Sequence, residues 1–113
     1  MSKRITTKTD IKDKGLAIQA LKNAGLAYEE MGNTMLRITS GDLANATIDL
    51  TTGVISGDTD FRGHSKEALG SLRKWYSEVK FRHEASREGV QIKKREILKN
   101  GEIRLHCRMA SHA

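Results

Sequence analysis

The stretch VQIKKREILKNGEIRLHCRM, residues 90–109, reads as two strands around a turn and is the clearest local signal in the chain. Asn100-Gly101 between strand-like runs favours a type I′ turn, in which both central residues take positive φ. Such a turn sets a register that places Leu98 opposite Ile103 and Arg95 opposite His106. Ile103, Leu105, Cys107 and Met109 then share one face of the return strand. Lys93, Arg95, Arg104, His106 and Arg108 gather on the other. The same register sends Lys94 and Glu96 toward the apolar side, a conflict that a bulge or an overhanging strand would relieve.

Working back from the hairpin, a long helix precedes it. Ser65 is placed to cap this helix and Gly89 to end it. Leu69, Leu72, Tyr76, Val79 and His83 recur at spacings of three and four, with Ala68 and Trp75 widening the stripe. Phe81 falls on the opposite face, near Lys74, Ser77 and Glu84. One glycine joins helix to hairpin, so the two are expected to run antiparallel.

The N-terminal half supplies a sheet. Ile5, Thr7, Thr9 and Ile11 alternate with Arg4, Thr6, Lys8 and Asp10 over residues 3–11, the pattern of a half-buried strand. Asp13 can cap a helix with the stripe Ala17, Ala20, Leu21 and Ala24, ended by Gly25. Two hairpins follow, one turning at Gly32-Asn33 and the other near Thr52-Gly53, with Leu36, Ile38, Ile48 and Leu50 facing inward. The order is β-α-β-β-β-β-α-β-β. It predicts a single α+β domain over residues 1–113, an antiparallel sheet with two helices packed on one face.

With these elements in view, the chain resembles a small domain-of-unknown-function family of cyanobacteria, plastids and phages. The likeness rests on Thr6-Thr7-Lys8-Thr9-Asp10-Ile11, Ala20-Leu21-Lys22-Asn23-Ala24-Gly25, Ile48-Asp49-Leu50, Tyr76, Glu88-Gly89 and Asn100-Gly101-Glu102-Ile103-Arg104-Leu105. The tryptophan-bearing segment associated with that family after the middle hairpin is missing here. The resemblance implies the fold and no catalytic residues.

Composition narrows the function. The chain has 113 residues, a net charge of +6 and one cysteine. A single thiol excludes an internal disulfide framework. No apolar run is long enough for a membrane span and no signal-peptide stretch is evident, so the expected location is the cytoplasm and no membrane partner is expected. Residues 1–60 sum to −1 and residues 61–113 to +7. That asymmetry favours an anionic partner.

Catalytic and metal chemistry finds little support. His106 and Cys107 are adjacent on a strand and point to opposite faces, so they cannot readily share an ion. His83 reads as a core or boundary residue, His112 lies in the tail, and no structural metal is expected. Cys107 sits on an apolar face, unlike a reactive thiol. Asp49, Asp58 and Asp60 flank the middle hairpin and are the best enzymatic option, as a Mg²⁺ cluster. There is no phosphate-binding loop or dinucleotide fingerprint, and no cofactor is expected.

Binding remains. The candidate ligand-binding residues are Lys93, Arg95, Arg104 and Arg108 on the hairpin, with Arg73, Lys74 and Trp75 on the long helix. A twisted basic ribbon suits a nucleic-acid backbone or duplex, and the five aromatic residues are too few for a single-strand stacking platform. The alternatives are a homo-oligomer that sequesters a small nucleotide, as a phage-type sponge would, and a protein–protein interaction module.

Overall fold

A computed structural model describes residues 4–58 and 63–109. Residue 3, at the start of the first expected strand, and Asp60 and His112 lie outside the described residues. The elements run β1 (Arg4–Lys8), α1 (Lys14–Asn23), β2 (Tyr28–Met31), β3 (Met35–Ile38), β4 (Thr47–Asp49), β5 (Val54–Asp58), α2 (Lys66–Glu88), β6 (Val90–Ile97) and β7 (Ile103–Met109). Class and order are those the sequence predicts.

Strands β1 to β5 form one antiparallel sheet in the order β1-β5-β4-β3-β2. Its inner face is set by alternation: Leu36, Ile38, Ile48 and Ile55 are almost completely buried. Both helices pack on that face. Ala17, Ala20 and Leu21 of α1 and Leu69, Leu72, Tyr76 and Val79 of α2 belong to the same buried cluster. Small alanines on α1 let it approach closely. The Tyr76 hydroxyl accepts the Asp13 amide at 3.4 Å, tying the start of α1 to the middle of α2.

Helix ends follow local chemistry. The Asp13 carboxylate accepts the Leu16 amide at 3.0 Å, and the Ser65 hydroxyl accepts the Ala68 amide at 3.0 Å. Each satisfies a donor that a helix leaves open in its first turn. Gly89 closes α2 in the left-handed conformation, with φ 76°, which only glycine adopts without strain.

Strand β1 is shorter than its alternation suggests. Thr9 and Ile11 still point inward, at 8% and 1% exposure. The backbone has left the ladder, however. The Thr9 amide and hydroxyl both donate to the Gly53 carbonyl, at 2.8 and 2.6 Å, and the Ile11 amide donates to the Thr9 hydroxyl at 3.1 Å. Gly53 has φ +78°, and a Cβ there would lie 2.1 Å from the Thr9 carbonyl oxygen. A turn that close to another backbone requires glycine.

β6 and β7 do not join this sheet. They pair only with each other, as a two-stranded ribbon. The radius of gyration, 15.5 Å, exceeds the roughly 13 Å of a compact domain of this length, in keeping with a ribbon that stands apart.

Candidate functional site

The hairpin turn differs from the expected type I′. Among the described non-glycine residues only Asn45 has positive φ, so Asn100 does not meet the requirement of that turn. Gly101 does, at φ +81°. The Gly101 amide donates to the Leu98 carbonyl at 2.9 Å, and the Leu98 amide donates to the Glu102 carbonyl at 2.8 Å. The Asn100 side-chain carbonyl accepts the Glu102 amide at 3.1 Å. This is a three-residue loop, a type I turn followed by a left-handed glycine. It moves the register by one residue: Ile97 pairs with Ile103, Arg95 with Leu105, and Lys94 with His106.

A one-residue shift turns the outgoing strand over. Glu96 and Lys94 therefore leave the apolar side, which removes the conflict seen in the sequence. A bulge between Ile92 and Lys94 makes Lys93 the extra residue, and beyond it Ile92 pairs with Cys107 and Val90 with Met109. Cross-strand partners share a face. Lys94, Glu96, Arg104, His106, Arg108 and Gln91 therefore form the polar face. Val90, Ile92, Arg95, Ile97, Ile103, Leu105, Cys107 and Met109 form the other.

The expected quartet of Lys93, Arg95, Arg104 and Arg108 is accordingly not one cluster. Arg104 and Arg108 stay on the polar face, and Lys94 joins them. Lys93 sits in the bulge. Arg95 lies on the apolar side, where its Nε and Nη2 donate to the two carboxylate oxygens of Glu78 at 2.8 and 3.1 Å. Arg82 Nε donates to the same carboxylate at 3.1 Å. Burial raises the Glu78 pKa, but the hydrogen bonds from Arg95 and then Arg82 outweigh it and hold the carboxyl below its ordinary range. The bond to Glu78 raises Arg95 in turn. Arg95 thus fastens β6 to α2.

On the polar face Glu96 is the one carboxylate among the described residues. His106 Nε2 lies 2.7 Å from its Oε1, and Arg104 Nη1 3.7 Å from the same oxygen. The His106 contact, with smaller help from Lys94 and Arg104, holds Glu96 below its usual range. Lys94, Arg104 and Arg108 together exceed that one anion by two charges even with His106 neutral. All four of these basic side chains are solvent-exposed.

The helix residues go elsewhere. Arg73 and Lys74 line an open trough of about 570 Å³ between α2 and the ribbon, with Ser77, Glu78, Phe81, Glu102, Ile103 and Leu105. Trp75 is half-buried against the core and borders a smaller hollow with Ala20, Asn23, Ala24, Val79, Glu78 and Arg95. It is not on the polar face of the ribbon and offers no stacking surface there.

Other expectations resolve individually. His83 is exposed rather than a core residue, because the helix continues past the layer that buries Val79, and it borders a surface hollow with Asp10, Lys12 and Asp13. Cys107 lies on the apolar face as expected yet is exposed, since nothing among the described residues covers that part of the ribbon. Asp49 closes its own turn by accepting the Thr51 and Thr52 amides at 2.9 and 3.4 Å. Among the described residues no group of three His, Cys, Asp or Glu side chains is placed to hold a metal. Among them, too, no helix is long and apolar enough to cross a membrane. Sequence reasoning missed Lys94 and Glu78. The first was signalled by its misplacement on the apolar side, the second by nothing local. Comparison with family models, curated proteins and solved structures gives no match, so the functional reading rests on the chain's own residues.

Proposed function

We propose that the protein binds the phosphate backbone of a nucleic acid through the polar face of the β6–β7 ribbon. One observation carries the reading: the register that collects Lys94, Arg104, Arg108 and His106 on a single open face. Cross-strand and diagonal neighbours on such a face lie within roughly 5–8 Å. Cations held that close repel one another, and an anionic backbone relieves the repulsion. Residues 90–109 carry six Lys/Arg against two Asp/Glu, so the field around the ribbon is positive as a whole. A two-stranded antiparallel ribbon also has dimensions that a major groove admits.

The reading favours backbone contact over base reading. The polar face has no Phe, Tyr or Trp for stacking, and Gln91 is its one side chain with an amide for base edges. Binding should therefore be tolerant of sequence and steep in salt.

Titration of a labelled DNA duplex by fluorescence anisotropy, across a salt series, tests this. Replacing Lys94, Arg104 and Arg108 together by glutamine should weaken binding. It should also flatten the dependence of log K on log salt, by about one unit for each phosphate no longer neutralised. Arg95→Gln should leave that slope unchanged, because Arg95 is committed to Glu78. A triple variant that binds as tightly as wild type, with unchanged circular dichroism, would exclude this face.

A further inference from the structure

The other face of the ribbon is the unfinished part of the molecule. Val90, Ile92, Ile103 and Leu105 are only half-buried, and Ile97, Cys107 and Met109 are exposed. Ile97 and Met109 each keep 63% of their surface, and Phe81 across the trough keeps 43%. The five-stranded sheet shows the contrast, with Leu36, Ile38 and Ile55 at 0%. The cause is geometric. Helix α2 packs along β6, where Arg95 reaches Glu78, and has little contact with β7. Cover is therefore incomplete on both strands, and the most exposed residues lie at the two ends of the face, Ile97 beside the turn and Cys107 and Met109 at the end of β7. An isolated two-stranded ribbon is marginal in water and needs a further layer over its apolar face.

We infer that the exposed part of this apolar face is covered by the same face of a second copy of this chain, in a two-fold dimer. Three features favour a copy over another occupant. A two-fold sets the same face of each copy against the other, so the exposed end at Ile97 of one ribbon can meet the exposed end at Met109 of the other. The trough beside it carries both signs, with Arg73 and Lys74 against Glu102, so two identical rims can pair opposite charges. An anionic ligand entering the trough would meet Glu102 and Glu78. The exposed surface is also apolar along its length, with Ile97 and Met109 at 63% and Phe81 at 43%, and a specific pair that uses it must bury about 1,000 Å² in all. The polar face looks away from this contact, so pairing leaves Lys94, Arg104 and Arg108 open and does not depend on the proposed function.

Cys107 provides a reporter, because it is the single thiol and lies within the proposed contact. Light scattering coupled to size exclusion, at low and high micromolar protein, should give the mass of two chains at the upper end. Reaction of Cys107 with a chromogenic disulfide reagent should slow several-fold over the same range. Ile97→Asp combined with Met109→Asp should yield a monomer whose thiol reacts at one rate at all concentrations. Both side chains are exposed in the single chain, so the variant should keep the wild-type circular dichroism and its core melting transition. Three results would overturn the inference: wild type monomeric throughout, a dimer that survives the double substitution, or a wild-type monomer that retains a nucleotide detectable by mass spectrometry. Loss of duplex binding by the Lys94/Arg104/Arg108 variant, measured separately, bears on the proposed function alone.

Discussion

The five-stranded sheet with its two helices and the β6–β7 ribbon are built from similar strand patterns, yet they end in opposite states. In the sheet, alternation is matched by a helical layer on the inner face, and its apolar residues are closed off from water. In the ribbon the same alternation meets a single helix along one strand, and no apolar side chain is fully buried. Charge follows the same division. Residues 1–60 sum to −1, whereas the ribbon alone carries +4. An apolar pattern therefore marks a face that can be buried, and whether it is buried depends on what packs against it. The sheet carries the stability of the fold. The ribbon supplies its surfaces.

Side-chain truncation should separate the two regions most widely. Leu36→Ala removes a completely buried side chain and should cost about 2–5 kcal/mol. Ile97→Ala, measured at low protein concentration, should stay within about 0.5 kcal/mol. Urea unfolding followed by circular dichroism measures both, and equal losses would erase the distinction between core and ribbon.

The two turn glycines sharpen the comparison with a smaller effect. Both have positive φ, at +78° for Gly53 and +81° for Gly101. At Gly53 a new methyl would strike the Thr9 backbone, whereas at Gly101 it meets only the flexible end of Lys74, at 3.4 Å. Gly53→Ala should cost about 3 kcal/mol, from strain and overpacking together, and Gly101→Ala about 1 kcal/mol. Finding Gly101→Ala the more damaging of the two, by thermal or urea melting, would mean that the ribbon turn is crowded after all.

The smallest effect concerns the clasp between the regions. Glu78→Gln removes the charge and one of the two acceptor oxygens that bind Arg95 and Arg82, and should cost about 1 kcal/mol, since both guanidinium groups are partly exposed. Acid should do the same to wild type. Glu78 has a lowered folded pKa, so its contribution is complete above its ordinary value near 4.5 and is lost as pH falls through the lowered folded value. Trp75, the only tryptophan, borders the same hollow as Glu78 and Arg95, and its fluorescence should report the loosening before the core melts. In Glu78→Gln this acid transition should disappear. A transition of the same size in the variant would assign it to another carboxylate.

Much of the molecule was legible in the sequence because the signals are local. Period-two and period-3.6 patterns placed the elements in order. Asp13, Ser65 and Gly89 marked helix ends that hydrogen bonding within one turn enforces. Apolar alternation named Leu36, Ile38, Ile48 and Leu50 as inward-facing. The stripe on α2 held through Val79 and failed at His83, because periodicity gives the direction of a side chain but not where the layer beneath it stops.

The candidate site was legible only in part, for a reason that lies in one turn. Asn-Gly serves a type I′ turn as its two central residues, and it serves equally as the last two residues of a three-residue loop. The dipeptide does not distinguish them, and the two choices differ by one residue of register. On β7 the faces come out the same, so Arg104, His106 and Arg108 were placed correctly. On β6 one residue of register exchanges the faces, which moved Arg95 to Glu78 and brought Lys94 to the polar side. The sequence by itself therefore determined the elements, their ends and their apolar faces. The pairing of the last two strands, the clasp at Glu78 and the incomplete cover of the ribbon were decided by tertiary contacts, because each depends on groups far apart in the chain meeting in space.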